Sequence, residues 1–186
     1  MADASRRTTA ENAYVAGFAG TRRLVLYDTL LRAGKSDETL FVVGHELGHE
    51  VEHHVLRGLF LASGGILLGS AVLAWLSTRD GLWRWAGASG VADLRAWPLL
   101  LLFATVATLL TLPVQNAFSR RFEATADRIA IRLTKDPATA TRVLRRLGLS
   151  NISDLRPPAI AVAVLYSHPP IPDRIERVRD FASGAP

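Results

Sequence analysis

Two histidines four residues apart, with a glutamate directly after the first, stand out in "VVGHELGHE": His45, Glu46 and His49. On an α-helix residues i and i+4 share a face, so this spacing aims two imidazoles at one ion. Glu46 lies about 100° round from His45, close enough to take a proton from a water beside that ion without being a ligand. The chemistry so described is metal-assisted hydrolysis of a peptide bond. The competing reading is a pair of surface histidines on an amphipathic helix. It carries less weight, because HExxH is an uncommon accident in a chain with five histidines.

A catalytic zinc takes three protein ligands and keeps a fourth position open. The chain has no cysteine, so the third ligand must come from His, Asp or Glu. The segment "SRRFEATADRIA" offers Glu123 and Asp127, again four apart on one helical face. Glu123 is assigned as the third ligand of one Zn2+ ion. Asp127 is assigned as the carboxylate that holds the other ring nitrogen of a ligand histidine, His45. An ExxxD pair alone is usually a solvated helix face; here the long apolar segments between the two motifs return the second to the side the first left. His53 and His54, which follow within a turn or so, read as solvated or interfacial rather than as a second metal site.

The elements that must position these groups follow from periodicity. "NAYVAGFAGTRRLVLYDTLL" reads as two short strands about a turn bracketed by Gly17 and Gly20, with Arg23 to Tyr27 the more strand-like half. A helix opens at "SDET", with Ser36 as N-cap and Asp37 and Glu38 in its first turn. It carries Leu40, Val43, Leu47, Val51 and Val55 at helical spacing through the HExxH motif. Gly58 to Thr78 is a run of 21 residues without a charge. As a helix it measures about 31 Å, the thickness of a bilayer core. Ala96 to Ser119 is a second such run, with Pro113 near its far end, where a kink or a helix exit is tolerated.

The two runs read as a transmembrane hairpin, about 58–78 and 97–118, joined by a short external loop at 79–95. A buried hairpin in a soluble protein is the alternative. Trp75, Trp83, Trp85 and Trp97 all sit at run ends or in the loop, as an interfacial aromatic belt requires. Arg57, Arg120, Arg121, Arg128, Arg132 and Lys135 outnumber the loop's Arg79, Arg84 and Arg95, which places both flanks in the cytoplasm. Arg120 to Leu133 reads as a further helix. Pro137 opens another that Gly148 stops, and a proline-rich tail ends in a short helix near Asp173 to Phe181.

Composition narrows the classes. At 186 residues, 49% hydrophobic and 21% charged, the chain holds one real core and is neither disordered nor uniformly apolar. The net charge of +5 comes almost wholly from arginine, since Lys35 and Lys135 are the only lysines. The arginines are scattered without a basic-aromatic platform, which argues against nucleic acid and suits anionic lipid headgroups. The expected fold is mainly α (α+β), a membrane-embedded zincin-like domain with a small β-hairpin. Its transmembrane hairpin is inserted between the two zinc-binding helices. Residues 1–186 are taken as a single catalytic domain: 1–57 with the strands and HExxH helix, 58–119 the hairpin, and 120–186 the third-ligand helix and C-terminal part.

With both helices placed, the chain resembles the integral-membrane zinc endopeptidases typified by the type I CAAX prenyl protease. The similar segments run in family order from "SRRTTAENAY" and "GTRRLVLYDTLL" through "VVGHELGHE" and "PVQNAFSRRFEATAD" to "YSHPPIPDRIERV". The resemblance implies a gluzincin-type site, with His45, His49 and Glu123 on zinc and Glu46 as general base. It implies that Asn12, Ala13 and their strand hold substrate backbone by β-addition, through main-chain hydrogen bonds to an edge strand. It also implies that His168, supported by Arg174, stands near the scissile carbonyl, where it could stabilise an oxyanion. Without the family His168 is equally well a turn histidine before two prolines.

Glu50 departs from the tryptophan common at its place in that family. Family members also carry further membrane helices and another strand upstream, so the resemblance implies a fragment, a shortened product or a mis-called start. The expected partners are a peptide or protein substrate, membrane-bound or lipidated, and the bilayer, in the bacterial inner membrane with the site facing the cytoplasm. Prenylated peptides and damaged membrane proteins both remain open as substrates. The rivals to an enzyme are a non-catalytic membrane remnant and a membrane-attached binding module.

Overall fold

Strand β1 (Ala13–Ala16) pairs antiparallel with β2 (Arg23–Leu26), Ala13 facing Leu26 and Ala16 facing Arg23. The computed structural model describes residues 1–17 and 19–183. The turn falls where the sequence predicts it, with Gly17 at φ 99°, a conformation most side chains resist; its Phe18 lies outside the described residues. Ala2 bridges to Tyr27 on the far edge of β2, and the buried Asp28 carboxylate accepts the backbone N–H groups of Ala4 and Ser5 at 2.9 Å each. Among the described residues the other edge of β1 has no strand beside it.

The rest of the chain is helical: α1 (Asp28–Ala33), α2 (Ser36–Val51), α3 (His54–Ser77), α4 (Asp80–Trp85), α5 (Trp97–Thr134), α6 (Pro137–Ser150), α7 (Ala159–Leu165) and α8 (Ile171–Ser183). This is the mainly helical fold with a small sheet that the pattern predicts. Several boundaries differ. Lys35, not Ser36, is the N-cap of α2, and its backbone N–H reaches Glu38 Oε2 at 3.4 Å. Pro113 neither ends nor splits its helix, so the apolar run and the Glu123 segment are one 38-residue helix. Gly148 does not stop α6. It lies inside the helix where a Cβ would meet Ile171 at 3.2 Å, so its smallness lets α8 approach.

Two compact units divide the chain, residues 1–55 with 116–186, and residues 56–115. In the first, Phe41 of α2, Ile131 of α5, Val143 and Leu144 of α6, and Val178 of α8 form one buried cluster. Removing a side chain such as Phe41 or Leu144 from water stabilises the fold by about 1.5–3 kcal/mol each. Asp136 caps α6 by accepting the Thr139 N–H at 2.9 Å, with Pro137 at the first helical position. Ion pairs from Asp37 to Arg142, and from Glu38 and Glu11 to Arg146, tie the start of α2 and the approach to β1 onto α6.

The apolar row on α2 is not its core face. Leu40, Leu47 and Val51 are exposed, while Glu38, Phe41, Gly44 and Gly48 are buried. In the second unit the loop expected at 79–95 folds around Trp83, which is fully buried and donates its indole N–H to the Leu76 carbonyl at 3.1 Å. Trp83 is therefore a core residue rather than part of an interfacial belt, whereas Trp75, Trp85 and Trp97 are exposed. The apolar stretches of α3 and α5 are 0% and 6% buried, so neither is the covered core helix of the soluble alternative.

Candidate metal centre

His45 and His49 extend from the same face of α2, and Glu123 extends from α5 to meet them. Their Nε2 atoms are 3.2 Å apart. Glu123 Oε2 stands 3.4 Å from His45 Nε2, and its Oε1 stands 3.3 Å from His49 Nε2. Ligands bonded to a tetrahedral zinc at its usual bond lengths stand about 3.3–3.4 Å from one another. The three side chains thus have the donor types and the mutual spacing of a three-ligand zinc site. They form the group that could hold a metal ion among the described residues.

The close approach of α2 to α5 makes this possible. Gly44 and Gly48 each precede a histidine and face Ala130 and Ala126 of α5. A Cβ on Gly48 would lie 2.9 Å from Ala126 Cα and 3.1 Å from its carbonyl oxygen, and one on Gly44 would lie 3.3 Å from Ala130 Cα. Four-residue spacing of small residues on both helices is what lets backbones meet. Because the atoms met at Gly48 are backbone and cannot swing aside, Gly48→Ala must part the helices. The expected loss is about 1–3 kcal/mol of stability with weakened metal binding, and Gly44→Ala should do less harm. Thermal unfolding and a zinc titration of both variants check this; equal behaviour of the two would refute the packing argument.

Asp127, one turn beyond Glu123, sits 2.9 Å from His45 Nδ1. Arg174 of α8 donates to the same carboxylate through Nε at 2.8 Å and Nη2 at 2.6 Å, and its Nη1 is 3.9 Å from Glu123 Oε2. Burial opposes charge throughout this cluster, and mutual pairing overcomes it. Desolvation works against a charged His45, yet hydrogen bonds to Asp127 and Glu123 raise its pKa to about 9. Desolvation would lift Glu123, but hydrogen bonds from His45 and His49 hold it well below the carboxylate range. Asp127 is kept at about 2, burial again being outweighed by His45 and Arg174. Glu46 differs: burial raises its pKa, and the nearby histidines only moderate the rise.

A cavity of about 400 Å³ opens beside the group. Its lining includes Asn12, Ala13, Glu46, Glu123, His168 and Arg174, so it joins residues that are far apart in the chain. His168 Nε2 is 3.5 Å from Glu123 Oε1, and its side chain is largely exposed toward solvent. Its Nδ1 lies 2.9 Å from Ser167 Oγ. Glu50 forms an ion pair with Arg22, away from the metal-facing atoms. His53 is exposed, as expected. His54 corrects its expectation: it is 5% exposed and lies against His49, not in solvent. Five residues past His49 is not a same-face spacing, so nothing in the sequence pointed to it.

The profile of peptidase family M48 matches residues 1–182. The chain is 37% identical over 180 residues to "Uncharacterized metalloprotease YhfN" of Bacillus subtilis (strain 168), covering 92% of this chain and 41% of that protein. It is 33% identical over 195 residues to the CAAX prenyl protease 1 homolog of Arabidopsis thaliana, covering 96% and 42%. Its fold is similar to the crystal structure of S. mikatae Ste24p, with a TM-score of 0.80, 24% identity, and coverage of 95% and 44%. The chain spans 41% and 42% of the length of these two sequence relatives.

Proposed function

Since this chain belongs to peptidase family M48, we propose that it is a membrane-associated zinc endopeptidase unit, with His45, His49 and Glu123 as ligands of one zinc ion. The observation that carries the reading is the spacing of the three ligand groups, 3.2–3.4 Å, which suits tetrahedral zinc. Asp127, itself gripped by Arg174, holds the His45 ring so that Nε2 faces the other ligands. When bound, zinc supplies Lewis acidity and lowers the pKa of water to about 7.

Every other part falls to the chain. Glu46, at the cavity wall with its basicity raised by burial, takes the proton of the attacking water and passes it to the leaving amine. The open edge of β1, beginning at Asn12 and Ala13, takes the substrate backbone as an added strand. His168, at the cavity mouth, donates to the developing oxyanion, and the N–H groups of Arg174 nearest Glu123 border the bound peptide. Substrate strand and hydrolytic group then share one cavity.

The exposed apolar stretches of α3 and α5 support a bilayer as their surroundings, since water does not tolerate apolar surface on that scale. The arginine distribution supports two spans with both flanks in the cytoplasm. Relatives named as CAAX prenyl proteases make a lipidated C-terminal peptide one substrate class to test, beside unmodified membrane protein segments.

The deciding experiment measures metal in the detergent-purified chain. About one equivalent of zinc is expected, removed by a chelator and restored by added zinc, with peptide cleavage following the metal. A folded chain that takes up no zinc would overturn the reading. Parallel assays on farnesylated and unmodified peptides separate the two substrate classes.

A further inference from the structure

We infer that His54 is a positioning residue that fixes the ring of His49, an inference that rests on the zinc-site reading above. His45 has Asp127 behind it; the group behind His49 is another imidazole. His54 Nδ1 lies 3.0 Å from His49 Nδ1, while His49 Nε2 faces His45 and Glu123. The two rings meet at 76° with centroids 5.0 Å apart, an edge arrangement that excludes stacking and accommodates a hydrogen bond between ring nitrogens.

His54 is in turn held. It is 5% exposed and stacks on Phe122, with centroids 4.3 Å apart and planes within 16°. Phe122 immediately precedes Glu123, so one turn of α5 carries both a ligand and the platform for the residue supporting another ligand.

The backbone is bent to achieve this. In an unbroken helix residue 54 would sit about 140° round from residue 49 and about 7.5 Å along the axis, with its ring out of reach. Instead α2 ends at Val51, His53 takes a left-handed φ of 52°, and α3 begins at His54. Such a φ is uncommon in any residue but glycine, and it turns His54 back onto His49.

The hydrogen-bond direction follows. For His49 to offer an Nε2 lone pair to zinc while neutral, its proton must be on Nδ1. That N–H is donated to His54 Nδ1, which must be the bare nitrogen, so His54 carries its proton on Nε2. His54 therefore selects the tautomer of His49 as well as its orientation.

The test uses the whole chain in detergent and reads zinc affinity by chelator competition, with Co2+ absorption as a second signal. His54→Phe keeps an aromatic ring on Phe122 but removes the acceptor; His54→Asn places its Oδ1 where Nδ1 stood. The expected result is about a 10–100-fold weaker zinc affinity for H54F, and for H54N a value within about threefold of wild type. H54F binding as wild type does, or H54N failing as badly as a folded H54F, overturns the inference. Imidazole nitrogen NMR of the zinc-loaded wild type needs no variant: zinc on His49 Nε2 with a proton on Nδ1 supports the assignment, and the reverse tautomer overturns it. Absence of zinc from the folded wild type would remove the metal site itself, a result distinct from zinc held equally well without His54.

Discussion

Replacing Glu46 by glutamine is expected to leave zinc bound and to slow peptide hydrolysis by about 10²–10⁴-fold, the usual contribution of a positioned general base. Glutamine has nearly the same shape and keeps its place on α2, so the helix, the cavity wall and the ligands are undisturbed. What is lost is the ability to accept a proton. Glu46 lines the cavity but is outside the group of donor atoms that converge on one another. Its burial raises its basicity, while Glu123 is held strongly ionised by hydrogen bonds from two imidazoles. Two carboxylates in one cavity thus have opposite electrostatic surroundings, which suits them to the different tasks proposed. The measurement is kcat at saturating peptide alongside zinc content. Full zinc with wild-type kcat would place the base elsewhere, and lost zinc would make Glu46 a ligand.

Glu123→Ala should lower zinc affinity by more than the roughly 10–100-fold that loss of a supporting residue causes. Two imidazoles alone then remain, and the carboxylate that stands within 3.4 Å of His45 Nε2 and 3.3 Å of His49 Nε2 is gone. The loss would also leave Arg174 with one of its two carboxylate neighbours, Asp127, to which it makes its short contacts. A chelator-competition titration of Glu123→Ala beside Asp127→Asn reads the difference, the first falling further than the second. Equal zinc affinity in Glu123→Ala and wild type would show that the third ligand is another residue.

Much of the site was legible because it is local. His45 and His49 share a face by the 3.6-residue repeat, and Glu123 and Asp127 share one for the same reason. The helical fold and the hairpin of strands followed from apolar periodicity and turn residues. Where the reading departed, the cause was a contact distant in sequence. The row Leu40, Leu47 and Val51 has the right spacing for a core face, yet the core side of α2 is the one with Phe41, Gly44 and Gly48. Hydrophobic periodicity finds bulky faces, and here the closest helix contact needed small ones. Trp83 has the composition of an interfacial residue, but it fills the folded end of the loop.

By itself, then, the sequence determined the chemical inventory: two imidazoles and a glutamate on one helix, two carboxylates on another, and long uncharged runs between. Spacing along a helix is a property of the chain's own geometry, so no tertiary information was needed to see those pairs. Tertiary structure alone decided that Glu123 turns its oxygens to both Nε2 atoms, that Asp127 is shared by His45 and Arg174, and that His54 stands behind His49. Those relations depend on the glycine–alanine approach of α2 to α5 and on a left-handed turn at His53, and neither the packing distance nor a backbone torsion is written in residue spacing.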